Sequence, residues 1–79
     1  MEETILPKII DLLQRTGGMT TLSADEDFYD AGITSLMTLP LMMDIEDLFS
    51  VVVPDQEFIQ VRTASGLCTL VHQLKQGAA

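Results

Sequence analysis

Asp27-Phe28-Tyr29-Asp30-Ala31-Gly32-Ile33-Thr34-Ser35-Leu36 is the stretch on which the reading turns: a polar loop runs there into an apolar helix. From Leu36 to Phe49 only Thr38, Asp44, Glu46 and Asp47 carry a charge or a hydroxyl. Ser35 stands at the junction. A serine there is a good N-cap, because its side-chain oxygen can accept from a free backbone N–H of the first turn. The same helix end is electropositive and suits a phosphate or another anion. Two readings of Ser35 therefore stand side by side, a cap and a hydroxyl on which another protein acts.

Downstream, the spacing predicts a helix over 36–50. At about 100° per residue, Leu41, Met42, Ile45, Leu48 and Phe49 share one arc and are expected in the core. Leu36, Leu39 and Met43 fall on a different arc, which also carries Glu46, Asp47 and Ser50. A small bundle covers only one of these faces completely. The second stripe, apolar near Ser35 and acidic beyond, reads as a docking surface. The competing occupant is a neighbouring helix. Pro40, fifth in this helix, would cost about 3 kcal/mol in a regular interior, so a kink or a first turn that is not regular α is expected.

Upstream, residues 17–34 form a long connection rich in Thr, Ser, Gly and Asp, a length that is usually functional or disordered. Leu22, Phe28 and Ile33 argue that it is pinned to the core, and Gly32 is placed to supply a positive φ. Before it lies a helix over 3–16, with Ile5, Ile9, Leu12 and Leu13 on one stripe, widened by Leu6 and Ile10. Pro7 falls in the first turn if that helix starts near Thr4, and Gly17-Gly18 stops it. After the central helix, Val51-Val52-Val53 reads as an extended, buried linker, since no second strand is evident to pair with it. A short helix is expected over 55–62, with Phe58, Ile59 and Val61 inward. Thr63 then caps a helix over 64–76 whose Leu67, Leu70, Val71 and Leu74 repeat at helical spacing. His72 lies beside that stripe and reads as a surface residue.

Composition narrows the function. The chain has 79 residues, 47% of them apolar, with no Trp. That is one domain, 1–79, with room for a modest aliphatic core and little for a deep enzyme cleft. Cys68 is the only cysteine, placed to fill core, and one Cys with one His excludes the usual zinc sets. The net charge is −8. No Lys or Arg lies between Arg15 and Arg62, an interval that holds Asp25, Glu26, Asp27, Asp30, Asp44, Glu46, Asp47, Asp55 and Glu57. Nucleic acid and anionic membranes are poor partners for such a chain, and a basic protein surface is a good one. With no signal peptide legible and no apolar stretch near the roughly 20 residues of a membrane span, a cytoplasmic location is expected.

Other chemistries fit poorly. An EF-hand loop starting at Asp25 needs Gly at position 6 and Glu at position 12, where Asp30 and Leu36 stand. A hydrolase needs a base and an elbow, but Gly32-Ile33-Thr34-Ser35-Leu36 is not GxSxG and nothing in the sequence places His72 near Ser35. What remains is that Ser35 is acted upon, or that the chain is an unmodified acidic helical adaptor binding a basic protein.

At these residues the sequence resembles the acyl carrier protein family, whose pattern is an acidic residue, Phe, three residues, Gly, two residues, then Ser-Leu. Here it runs from Asp27-Phe28 through Gly32 to Ser35-Leu36. The resemblance extends over almost the whole chain, to Val53-Pro54-Asp55 and Thr63. It implies an all-α fold, a right-handed four-helix bundle with three main helices and one short one. It implies that Ser35 receives 4′-phosphopantetheine from coenzyme A through a magnesium-using phosphopantetheinyl transferase. The arm's thiol would then hold an acyl or aminoacyl group as a thioester. Leu36, Met43, Glu46 and Asp47 match positions used for partner recognition, beside Leu39 on the same face. Asp30 is placed to orient the loop or the transferase. Thr34 before the serine, and Pro40, depart from the fatty-acid carriers. The chain looks more like a stand-alone monomeric carrier of the aminoacyl or specialised-pathway kind, without activity of its own. A discrete ATP-dependent ligase would charge it, and a downstream acyltransferase or synthase would unload it.

Overall fold

A computed structural model describes residues 2–77, with side chains from residue 4 onward. Its helices are α1 (Glu2–Gly17), α2 (Phe28–Ala31), α3 (Thr38–Phe49), α4 (Asp55–Phe58) and α5 (Ala64–Gly77), with a 3-10 turn over Ser35–Met37 leading into α3. There is no strand among the described residues, only one antiparallel bridge between Asp27 and Thr63. The expected all-α bundle of three main helices is the fold observed.

α1 packs chiefly on α5 and also meets α3. Its stripe is buried as expected: Ile5, Ile9, Leu12 and Leu13 are at most 6% exposed. The helix begins at Glu2, however, so Pro7 lies inside it and not in its first turn. At the other end Gly18 takes φ +69° and Met19 N–H donates to the Gln14 carbonyl at 3.0 Å. That six-to-one bond across a left-handed residue is how helices commonly close.

α3 buries Leu41, Ile45 and Phe49 and leaves Met42 half-buried. Leu48, expected in the core, is 46% exposed. It borders Pro7, Lys8, Asp11, Leu12 and Arg15 of α1, and of these only Leu12 is buried. α3 ends at Ser50, which takes φ +57°. The linker that follows is not buried throughout: Val51 and Val53 are 7% and 3% exposed, but Val52 is 80% exposed. An extended backbone alternates its side chains, and only every second one can face the core.

α4 is one turn long, shorter than the helix expected over 55–62. Phe58 is buried at 1%, while Ile59, expected inward, is 69% exposed and Val61 is half-buried. Thr63 does cap α5, its Oγ1 accepting from Gly66 N–H at 3.0 Å. Leu67, Leu70 and Val71 are buried beside a half-buried Leu74. Cys68 fills core at 5% exposure.

Candidate functional site

The long connection is pinned as its three apolar residues suggest. Leu22, Phe28 and Ile33 are 7%, 0% and 2% exposed. Asp27 starts α2 as its N-cap: one carboxylate oxygen accepts from Tyr29 N–H at 2.9 Å and Asp30 N–H at 3.2 Å. Gly32 ends it with φ +144°, its N–H reaching the carbonyls of Phe28 and Tyr29. A side chain is rarely tolerated at that φ. Ile33 N–H also turns back to the Phe28 carbonyl, at 2.9 Å. Phe28 and Ile33 are thus clamped to one point of the core, and Ser35 follows two residues later.

Ser35 is the first residue of the 3-10 turn and is exposed. It does not take the N-cap position. Thr34 occupies the cap position, in an extended conformation and without a side-chain cap bond. Ser35 contributes its carbonyl instead, which accepts from Thr38 N–H and from Thr38 Oγ1 at 2.7 Å. The irregular first turn expected from Pro40 is present, as three 3-10 residues. Pro40 itself is third in α3, where a backbone N–H has no partner within the helix anyway.

Beside Ser35 lies a cleft of about 350 Å³ between α3 and α4. Tyr29 and Asp55 contribute to its rim, and Thr38, Leu39, Met42, Phe58 and Ile59 line it. Its lining is mostly apolar, and Ser35 is one of the residues that border it.

The family model described as "Phosphopantetheine attachment site" matches residues 7–71. The chain belongs to this family. It is a carrier protein, and its cofactor is a covalent 4′-phosphopantetheine. Among solved structures, the crystal structure of an acyl carrier protein from Thermotoga maritima superposes with a TM-score of 0.80 at 20% sequence identity, covering 99% of this chain and 94% of that one. At that identity the likeness establishes the fold. Comparison with curated protein sequences returns no match.

In this carrier the second stripe of α3 is open. Leu36, Leu39 and Met43 are 89%, 65% and 56% exposed, so no neighbouring helix of the bundle covers them. Asp30 and Asp47 are exposed too. Glu46 behaves differently. It is half-buried, and its Oε2 accepts from Val53 N–H at 2.9 Å. Its carboxylate holds the linker after α3, so it is not a free docking acid.

Three further residues escaped the sequence reading. Ile59 carries the exposed apolar surface across the cleft from Leu39. Tyr29 packs on Phe28, with ring centroids 4.8 Å apart. Arg62 pairs with Asp27 at 2.5 Å and lies over the Tyr29 ring at 4.9 Å. An N-cap signal at Asp27 was present in the sequence, but Arg62 is far along the chain and nothing local announces it. His72 is half-buried and lines a groove of about 500 Å³ with Ile5, Lys8, Phe49 and Lys75, at the end of α3 away from Ser35. Among the described residues no group of three or more His, Cys, Asp or Glu is placed to hold a metal ion, and no helix is long and apolar enough to cross a membrane.

Proposed function

We propose that Ser35 is the residue that carries the arm, and that the chain delivers acyl or aminoacyl groups to partner enzymes without an activity of its own. The observation that supports this most is the setting of Ser35: an exposed hydroxyl at the first position of a turn, next to a leucine that is 89% exposed. Large apolar side chains shown to water in a contiguous patch mark interaction sites. When bound, the arm's thiol supplies the thioester link to the cargo. The chain's own residues place that link. Asp27, Phe28 and Ile33 hold the loop, and Leu39, Met42 and Ile59 offer an apolar path away from Ser35.

The same face suits a transferase, a ligase and a downstream acyltransferase or synthase in turn. Leu36, Leu39 and Met43 give each partner an apolar anchor. Asp47 and Asp30 give a basic partner its orientation, since complementary charge raises encounter rates. We read the cargo as aminoacyl ahead of fatty or polyketide acyl, charged by a discrete ATP-dependent ligase, with the carrier a cytoplasmic monomer.

Intact mass after incubation with coenzyme A and a promiscuous phosphopantetheinyl transferase tests the attachment. The wild type gains one phosphopantetheine and Ser35→Ala gains none. Equal gain in both moves the attachment elsewhere. No gain in either leaves the acidic adaptor that binds a basic protein unmodified. Adenylation assays with the ligase encoded nearest the carrier decide the cargo.

A further inference from the structure

On the reading that Ser35 carries the arm, we propose that Arg62 is a positioning residue for loading, holding the Asp27 end of the loop and the Tyr29 wall of the cleft so that Ser35 is presented in one place. Arg62 lies between α4 and α5, outside the loop it controls. It grips that loop at three levels. Its carbonyl accepts from Phe28 N–H at 2.8 Å. Its Nε meets the Asp27 carboxylate at 2.5 Å. Its guanidinium lies over the Tyr29 ring with 4.9 Å to the centroid.

Each contact leads toward Ser35 without a gap. Asp27 uses one oxygen for Arg62 and the other for the N–H groups that start α2. α2 closes at Gly32, Ile33 turns back to Phe28, and Ser35 follows. Tyr29, under the guanidinium, lines the same cleft as Ser35. Arg62 is also the only Lys or Arg between Arg15 and Lys75. Its side chain is 57% exposed, and ion pairs that open to water add little to stability. A planar guanidinium that pairs with a carboxylate and stacks on a ring in the same pose does fix geometry, which a lysine cannot reproduce.

The test is steady-state loading by a promiscuous phosphopantetheinyl transferase with coenzyme A. Wild type, Arg62→Ala, Arg62→Lys, Tyr29→Leu and Arg15→Ala are compared well below the lowest melting temperature of the set. Misplaced reacting groups cost turnover steeply, so kcat is expected to fall on the order of tenfold in Arg62→Ala and Tyr29→Leu. KM for the carrier is expected to hold, because Leu36, Leu39 and Met43 are untouched. Arg62→Lys keeps the charge pair and loses the stack, so its kcat falls between. Arg15→Ala, which removes a cation from α1, loads like wild type. A folded Arg62→Ala with wild-type kcat overturns the proposal, and so does a raised KM at unchanged kcat, which would make Arg62 a docking residue. If Arg62→Ala does not fold, wild-type kcat in Tyr29→Leu overturns it equally. A wild type that gains no mass sinks the attachment reading itself, and this proposal with it, an outcome distinct from all the others.

Discussion

Glu46 and Asp47 are adjacent acids on α3, and the structure separates them. Glu46 Oε2 accepts from Val53 N–H at 2.9 Å. Val53 is 3% exposed, so its N–H has little access to water once that carboxylate is gone. Leaving a buried donor unsatisfied costs about 1–3 kcal/mol. For a domain of this size each kcal/mol moves Tm by roughly 4–8 °C. Glu46→Ala at about 2 kcal/mol is therefore expected to lower Tm by about 8–16 °C. Glu46→Gln keeps an oxygen able to accept but loses the charge assistance, and is expected to lose about 1 kcal/mol. Asp47 is exposed, so Asp47→Ala should stay within about 0.5 kcal/mol of wild type. Thermal melts by circular dichroism at one protein concentration give all three. Loading kinetics give the complement: Asp47→Lys is expected to raise KM for the transferase, while folded Glu46→Gln is not. If Glu46→Ala melts together with Asp47→Ala, the carboxylate does not hold the linker.

Three other outcomes are expected. The Arg62 hydrogen bond, with the backbone N–H groups of Asp30 and Tyr29, holds the Asp27 carboxyl below its ordinary value of 3.8. A carboxyl depressed in the fold adds stability above its unfolded value and loses it as pH falls through the folded one. The Tm gap between wild type and Asp27→Asn should therefore be flat at neutral pH and shrink below about pH 4. Ser50 is the only described non-glycine residue with positive φ. Since the left-handed region costs a side chain about 1–2 kcal/mol, Ser50→Gly should raise Tm in the same melts. Leu36→Ala removes a side chain that is 89% exposed, so Tm should hold while loading kcat/KM falls, by an amount typical of an interface anchor, about 1–2 kcal/mol.

Much of this was legible because it depends on local spacing. The stripe of α1, the pinned Phe28 and Ile33, the open stripe of α3 and the Thr63 cap all follow from periodicity, capping chemistry or glycine stereochemistry. What was not legible depends on neighbours far along the chain. Leu48 lies on the inward arc, yet it is half-exposed because most of the α1 residues bordering it, Pro7, Lys8, Asp11 and Arg15, are themselves exposed. Ile59 points outward because α4 stops after one turn, and tight turns follow, Gln60 N–H to Glu57 and Val61 N–H to Phe58. A helix drawn over 55–62 could not show that. Glu46 looked like a docking acid because its partner is a backbone N–H seven residues on, invisible to any pattern of side chains. Arg62 reaches Asp27 across 35 residues, and only the folded chain brings them together.

On the proposed reading of Ser35, the arrangement also lets recognition and stability vary separately. Ile33 and Leu41 are buried at 2% and 0% exposure, and every residue from 34 to 40 is exposed or half-buried. Ser35 therefore rides on a span fixed at both ends by the core and contributing little to it. A regular α-helix begun at Ser35 would have put Pro40 where its missing N–H breaks a ladder bond. Starting with a 3-10 turn places Pro40 in the first turn of α3 and not in its regular interior, where proline costs most. The turn also closes on its own backbone, through Met37 N–H to Thr34 and Thr38 N–H to Ser35. It thus holds its shape without burying Leu36 or the serine. Ser35 thus sits in a backbone-closed turn and stays exposed, the combination that the proposed attachment there calls for.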